Sequence, residues 1–340
     1  MSKRRSDIII LILLLCCLLF LTGCTMKVPK LFPEETPISD LPAEALLINR
    51  EEIYDRTLTL IQSAQSSIYV EQAAFSDADL IELLLTKSRS GVDVRILLDQ
   101  WQNVNRATLD QLKNQNVSVQ FYPAQKGQIN NTKYLIVDQN QAIIYGSPWT
   151  ENGFQSHTLA VELSGKSAWK TSTLFSKDWG FTTTFPLNVP ETTTLPEDNI
   201  VLATNANVRQ QLADEMSSST KSILITSSEI TEPDLVQSLI DAVDNGCDVR
   251  LILDRPVMTK NPMTLETLTT NGVQIRYYPD QPSFRMNLSI FDNKSFVLSS
   301  SGWTRYSFVA NHEFSITVPS PVASLRLGEM FEQDWEKSSE

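Results

Sequence analysis

The chain is written twice, and that constrains its fold more than any other feature. Ser67-Ile-Tyr-Val-Glu71 returns as Ser222-Ile-Leu-Ile-Thr226, and Gly91-Val-Asp-Val-Arg-Ile-Leu-Leu-Asp99 returns as Gly246-Cys-Asp-Val-Arg-Leu-Ile-Leu-Asp254. Val117-Ser-Val-Gln-Phe-Tyr-Pro123 matches Val273-Gln-Ile-Arg-Tyr-Tyr-Pro279, and the copies close on Phe175-Ser-Lys-Asp-Trp179 and Phe331-Glu-Gln-Asp-Trp335. The offset stays within 154–156 residues throughout. Self-similarity at a fixed period means one structural unit folded twice.

Each unit alternates short apolar runs with helical patterns, the order of an α/β layer architecture. It reads helix, strand, helix, strand, helix, strand, two further strands and a closing helix, with the first helix expected over Leu46 to Ala64. Ile96–Asp99, Tyr134–Asp138 and Leu251–Asp254 are unbroken apolar runs that suit strands buried on both faces. The expected domains are residues 46–180 and 198–336. Residues 181–197, rich in Thr and Pro, are a linker or an ordered segment crossing between the units.

The first residues form a separate segment. Lys3, Arg4 and Arg5 precede a nearly unbroken apolar run from Ile8 to Leu21, which closes on Leu21-Thr-Gly-Cys24. Basic start, apolar core and small-residue exit are the parts of a secretory signal, here residues 1–23. The run is short for a membrane span, which needs about 20 apolar residues. The ending is similar to a bacterial lipobox, which implies cleavage before Cys24 and lipid on its sulfur; an uncleaved signal anchor is the alternative. Residues 24–45, with Pro29, Pro33, Pro37 and Pro42, read as a tether. The expected address is the extracytoplasmic side of a bacterial cell envelope, with the membrane as partner through Cys24.

Cys16 and Cys17 would leave with the signal, so Cys247 remains as a small buried residue and no disulfide is expected. The two histidines, His157 and His312, and the scattered cysteines show no metal-ligand spacing. Neither metal nor cofactor is expected. The whole chain carries a formal charge of −12, and removing residues 1–23 takes away a net +2, leaving −14. Nucleic-acid binding depends on clustered Lys and Arg, so nucleic acid is not an expected partner.

Chemistry concentrates in one block of each unit. Asn131-Thr-Lys133-Tyr-Leu-Ile-Val-Asp138 leads to Gly146-Ser147-Pro-Trp149-Thr150, and Arg285-Met-Asn287-Leu-Ser-Ile-Phe-Asp292 leads to Ser300-Ser301-Gly-Trp303-Thr304. In order and spacing these blocks resemble the phospholipase D superfamily signature, His-x-Lys-x4-Asp followed by Gly-Ser-x-Asn. The resemblance covers roughly residues 46–336. It implies two tandem repeats, each a mixed sheet flanked by helices, meeting about a pseudo-twofold axis. It also implies that one motif His forms a phospho-histidine, the other protonates the leaving alcohol, and the two Lys hold phosphate oxygens.

At those positions this chain departs from the pattern. Asn131 and Arg285 stand where the two His belong, and Asn287 stands where the second Lys belongs. An amide is neither basic nor nucleophilic near neutral pH, and a guanidinium stays protonated. Neither can take over the role of an imidazole titrating near pH 6.5. The hydroxyls of Thr132, Ser147, Ser300 and Ser301 have no base visible in sequence. His312 sits in Asn311-His-Glu313, which is similar to the family's Asn-x-Glu; the first copy aligns His157-Thr-Leu159 there.

The degenerate motif positions Asn131, Lys133, Asp138, Arg285, Asn287 and Asp292 are therefore not assigned catalysis. Lys133, Arg285, Asn287, Ser147, Ser301 and Glu313 are the candidate ligand-binding residues. A Lys within an apolar strand calls for an anion or a cleft. Asp138 and Asp292 are expected to end strands and cap turns, and Trp149 and Trp303 to pack between the repeats. The function expected is a membrane-anchored, degenerate phospholipase D-like lipoprotein binding a phosphorylated or anionic ligand, such as a phospholipid, between the repeats. The alternative is an active phospholipase D or phosphodiesterase that hydrolyses or transfers phosphatidyl groups through a displaced nucleophile.

The leader is tested directly. Mass spectrometry of the membrane fraction should find an acylated N-terminal peptide beginning at Cys24, whereas an intact Met1–Lys30 segment in the mature protein would remove the lipid anchor.

Overall fold

A computed structural model of the chain describes residues 37–191, 194–279 and 281–339. The signal, Cys24 and most of the tether lie outside these residues. Among the described residues no helix is long and apolar enough to cross a membrane.

The first repeat contains β1 (Leu46–Leu47), α1 (Arg50–Ser63), β2 (Ser67–Gln72), α2 (Ala78–Arg89), β3 (Asp93–Asp99), α3 (Val104–Asn114) and β4 (Ser118–Tyr122). It continues through β5 (Lys133–Val137), β6 (Gln141–Tyr145), the short α4 (Glu151–Phe154), β7 (Ala160–Ser164) and the closing α5 (Gly165–Thr183). The second repeat contains β8 (Val201–Thr204), α6 (Ala206–Ser218), β9 (Ser222–Ser227), α7 (Pro233–Asp244), β10 (Asp248–Leu253), α8 (Val257–Lys260) and α9 (Pro262–Thr270). Then come β11 (Gln274–Tyr277), β12 (Leu288–Phe291), β13 (Ser295–Ser299), α10 (Arg305–Val309), β14 (Phe314–Val318) and α11 (Pro321–Lys337).

Each repeat builds a seven-stranded sheet, in the order β1-β7-β6-β5-β2-β3-β4 and then β8-β14-β13-β12-β9-β10-β11. In both, the last three strands of that order are parallel and the others antiparallel, so the sheets are mixed as expected. Two strands per repeat escape the sequence pattern: an edge strand (β1, β8) and the one after the Trp-Thr turn (β7, β14). The first helix also starts later than the apolar pattern suggested, because a capping box fixes it. The Asn49 side chain accepts from the Glu52 N–H at 2.8 Å, and the Glu52 carboxylate accepts from the Ile48 N–H at 2.9 Å. Leu46 and Leu47 are thereby freed to pair with β7.

Strand alternation sorts the side chains into cores. In the first repeat Ile68, Val70, Ile96, Leu98, Leu135 and Ile143 face α1, α2 and α3. Tyr69, Leu97, Tyr134, Ile136 and Ile144 face the other way, toward Phe175 and Trp179 of α5. The second repeat has its own outer core around Leu235, Leu239, Leu251 and Val297. The inner core is shared: Tyr69, Tyr134 and Phe175 join Phe284, Leu288, Phe314 and Phe331 of the second repeat. The Tyr134 and Phe314 rings meet edge-on across the interface, 5.5 Å apart. Beyond α5 the chain folds back along that helix, where Leu187 O accepts from the Ser176 hydroxyl and Pro190 O from the Trp169 indole.

The two motif aspartates are corners of this scaffold. Asp138 and Asp292 sit at positive φ (50° and 53°) in the β5–β6 and β12–β13 turns, where Asp is tolerated better than branched residues. Asp138 accepts from the backbone N–H groups of Gln65, Ser66 and Ser67, and Asp292 from those of Thr220, Lys221 and Ser222. Partial burial alone would raise both carboxyls, but these N–H donors outweigh it and hold them below the ordinary value.

A carboxylate held low adds stability above its unfolded pKa and loses it as pH falls through the folded one. Asp138→Asn or Asp292→Asn should each cost about 1 kcal/mol at pH 7, and the pair should flatten the loss of stability below pH ~4. Urea unfolding at pH 7 and pH 3 checks both expectations.

Candidate functional site

The site is built by an exchange of backbone hydrogen bonds between the repeats. The N–H groups of Asn131 and His312 donate to the carbonyls of His312 and Ile129, at 2.9 and 2.8 Å. Reciprocally, the N–H groups of Arg285 and His157 donate to the carbonyls of His157 and Ser283, at 3.0 and 2.8 Å. The segment entering each motif strand is thus stitched to the segment entering the last strand of the other repeat. Asn131 and Arg285 are fixed at the junction by their own backbones.

A cleft of about 760 Å³ opens there, lined from the first repeat by Asn131, Lys133, Gly146 and Thr150 among others, and from the second by Ser228, Asp254, Arg285, Asn287 and Ser300. Lys133 and Arg285 therefore reach one cavity from different repeats. Lys133 is only 4% exposed. Its ammonium donates to Asn131 O at 2.7 Å and Asn131 Oδ1 at 3.0 Å. Burial lowers its pKa to about 8, and the Arg285 charge pushes in the same direction, while Glu313 works against them. Arg285 is exposed to the cleft and has no carboxylate partner among the described residues.

The residues in place of the lost His and Lys are tied into the frame. The Asn131 amide donates to Ser300 O at 2.7 Å and to the Glu313 carboxylate at 3.1 Å. Asn287 accepts from Ser228 N at 3.1 Å and Ser227 Oγ at 3.2 Å. Glu313 is buried, and that burial raises its pKa, although Ser300, Lys133, Asn311 and Asn131 partly offset it.

Several expected assignments are corrected. Ser147, Ser301 and Glu313 are buried and do not line the cleft. Ser301 bonds Ser299, and Glu313 supports Asn131 from behind. Trp149 and Trp303, which stand where the signature has Asn, do not pack between the repeats. Each fills the outer core of its own repeat, Trp149 edge-on to Phe75 at 5.1 Å. The bridges Phe75–Trp149 and Ile230–Trp303 tie each of these residues to its own repeat. The copies also align differently at the last strand. His157, not Thr158, is the counterpart of His312, so Thr158 answers Glu313, and its hydroxyl donates to Arg285 O. One extra residue after Trp303-Thr304 hides this register in the sequence.

The fold supplies two groupings that sequence reasoning missed. Ser300 Oγ donates to Glu313 at 2.5 Å while accepting from Phe314 N at 2.9 Å, so one cleft hydroxyl has a carboxylate partner. The histidines are interface pins. His157 Nε2 lies 2.6 Å from Asp334 and its ring stacks on Tyr278 at 4.9 Å. His312 Nε2 lies 3.1 Å from Asp178 and its ring stacks on Tyr122 at 4.5 Å. The repeated Asp-Trp ending was the one sequence signal for these pairs. Neither imidazole lines the cleft.

Around His312 the second pin carries another acid, Glu71, where the other repeat has Thr226. Glu71, Asp178 and His312 offer donor atoms within 4.8 Å of one another, a grouping that could hold a metal ion. Glu71 already accepts from Asn130 at 2.7 Å and Tyr134 at 2.5 Å. Burial, then the neighbouring Asp178, raises its pKa to about 7. Burial lowers the His312 pKa, but the Asp178 hydrogen bond and the surrounding carboxylates more than reverse that and leave it raised.

The family described as "Cardiolipin synthase, PLD-like domain" matches residues 57–179 and again residues 212–335, once per repeat. The fold is similar to that of phosphatidylserine synthase from Haemophilus influenzae Rd KW20, with a TM-score of 0.69, 13% identity and 87% of each chain covered. It is also similar to polyphosphate kinase from Porphyromonas gingivalis, with a TM-score of 0.64, 13% identity and 83% of this chain covered. The chain spans 45% of the length of that kinase. At this identity the likeness is one of fold. No curated protein matches the sequence.

A raised His pKa stabilises the fold below the unfolded value and is lost as pH rises through the folded one; a raised Glu pKa disfavours the ionised folded state in the same direction. Stability should therefore fall as pH rises, from about 4.5 through the Glu71 window and from about 6.5 through that of His312. His312→Asn should remove the imidazole's part of that slope, steepen the carboxylates' part because Glu71 loses the charge that holds its pKa down, and cost about 3 kcal/mol at pH 6. Denaturant melts across pH 5–9 measure it.

Proposed function

This chain belongs to the phospholipase D superfamily, in the cardiolipin synthase-like family, and from that premise we propose that it has given up phosphodiester turnover and holds an anionic, phosphate-bearing ligand in the cleft between its repeats. The observation that carries the reading is the pair Lys133 and Arg285, two cations on one cavity with no imidazole beside them. Attack on phosphorus needs a nucleophile able to leave again, and protonation of the departing alcohol needs an acid near neutral pH. Asn131 and Arg285 supply neither, while two neighbouring cations are stabilised by a bound anion. The ligand would reach this cleft at a membrane if Cys24 carries lipid.

A second reading, an active phosphodiesterase, is favoured by one contact: the Ser300 hydroxyl, on the cleft wall, hydrogen-bonded to Glu313. The two separate cleanly. The purified protein should hydrolyse phosphodiesters at background rate and form no phospho-enzyme, and Asn131→His alone should restore nothing, since Arg285 and Asn287 still occupy the other motif. Turnover that disappears in Ser300→Ala would instead establish the enzyme.

Binding has its own signature. Lys133→Ala and Arg285→Ala should each weaken binding of glycerol phosphate or inorganic phosphate about 10- to 100-fold by calorimetry, the worth of one charged hydrogen bond. A bound anion raises the Lys133 pKa, so with sulfate, an anion that does not itself titrate here, the ammonium is charged in both states below pH ~8 and affinity is level. Above that, binding takes up a proton and affinity should fall up to tenfold per pH unit. That slope should vanish in Lys133→Ala and persist in Arg285→Ala. Equal binding by all three proteins, or none by any, would leave the cleft a structural seam.

A further inference from the structure

One buried side chain next to the cleft wall, Gln72, is left without a hydrogen-bond partner by the other described residues. Gln72 ends β2, immediately before Ala73 and Ala74 of the cleft wall. It is 0% exposed, and neither its Oε1 nor its Nε2 has a hydrogen-bond partner among the described residues. Buried amides are normally paired, so an amide with both atoms idle calls for an explanation. The neighbouring Asn105 does not serve it, since that amide is occupied by Phe75 N, Ala73 O and Asp99 O.

Gln72 is not itself on the cleft wall, but the sheet register sets it beside a residue that is. Gln72 pairs directly with Lys133 across the antiparallel β2–β5 ladder, which puts the two side chains next to each other on one face. The second repeat shows that side chains at these positions meet. There the register continues from Leu288 opposite Thr226 to Asn287 opposite Ser227, and the Ser227 hydroxyl reaches Asn287 Oδ1 at 3.2 Å. In the first repeat Lys133 instead turns its ammonium to Asn131, and Gln72 is left with nothing.

We propose that Gln72 forms, with Lys133, the anion subsite of the cleft, and that this subsite takes a terminal phosphoryl group, a phosphomonoester, in preference to a phosphodiester. A carboxamide presents one donor beside one acceptor. A monoanionic phosphomonoester presents the complement, a P–O⁻ for the Nε2 hydrogen and a P–OH for Oε1. A phosphodiester anion carries only acceptors and leaves Oε1 unpaired, a penalty that makes polar sites discriminate strongly. Lys133 supplies the charge and Gln72 the choice. The proposal rests on the reading of the cleft as an anion site, and the experiment separates the two.

Calorimetry at pH 6, where about half of a phosphomonoester is monoanionic, would compare methyl phosphate with dimethyl phosphate. The parent should bind methyl phosphate at least about tenfold more tightly. Gln72→Leu and Gln72→Met, apolar and of similar size, should lose that preference by weakening methyl phosphate alone. Their unliganded Tm should equal or exceed that of the parent, because an unpaired polar group is removed. Undiminished methyl phosphate binding in both variants overturns the role of Gln72 and leaves the cleft reading standing. Binding of neither ester by the parent overturns both. A clear fall in unliganded Tm, or failure to fold, in both variants shows that the amide serves the scaffold and also overturns the proposal.

Discussion

The reciprocal backbone exchange at His157 and His312 is the constraint on which the rest depends. Four N–H···O=C bonds tie each repeat's motif entry to the other repeat's last strand. They bring Asn131 and Arg285 to one junction, and they close the shared core in which Tyr134 meets Phe314. They also need the residue on either side to be held. His157–Asp334 and His312–Asp178 do this, each imidazole stacked on a tyrosine of the adjoining strand end. A cleft between two separately folded sheets would be a hinge; this one has a stitched floor.

That floor explains how the motif could lose its histidines without losing its shape. Asn131 bridges Ser300 O and Glu313 with its amide N–H groups, and its oxygens receive Lys133. Asn287 anchors Ser227 and Ser228 in the same way. Amides satisfy buried donors and acceptors as well as an imidazole and a lysine do, without adding charge. What they do not provide is a group that exchanges a proton near neutral pH. The scaffold and its polar pairings are kept, and the positions that depart from the signature include both of its His and one of its Lys.

The two halves of the cleft are correspondingly unequal. The first repeat keeps a buried cation, Lys133, beside the idle amide of Gln72. The second offers an exposed guanidinium and a neutral, fully occupied Asn287–Ser227–Ser228 corner. Glu71 adds a buried acid on the first side where Thr226 stands on the second. Duplication gave the symmetry of the frame, and substitution at a few positions removed it from the lining.

The sequence by itself determined the duplication, the α/β layers and the pairing of motif blocks, because these follow from periodicity and order, which are local properties. It identified Asp138 and Asp292 as turn residues and placed Lys133 in a strand that no apolar core would tolerate without a reason. Only the tertiary structure decided which face each residue of that block serves. Strand β1 and its counterpart β8 are short edges whose pairing carries almost no local signal. Trp149 and Trp303 read as interface residues until their bridges to Phe75 and Ile230 set them in the outer cores. Ser147, Ser301 and Glu313 follow the motif yet lie behind the cleft wall, and His157 pairs with His312 only once a one-residue shift is resolved in space. The reason is that a site between two repeats is made of contacts far apart along the chain. Spacing fixes what a residue can be, while register across the interface fixes what it touches.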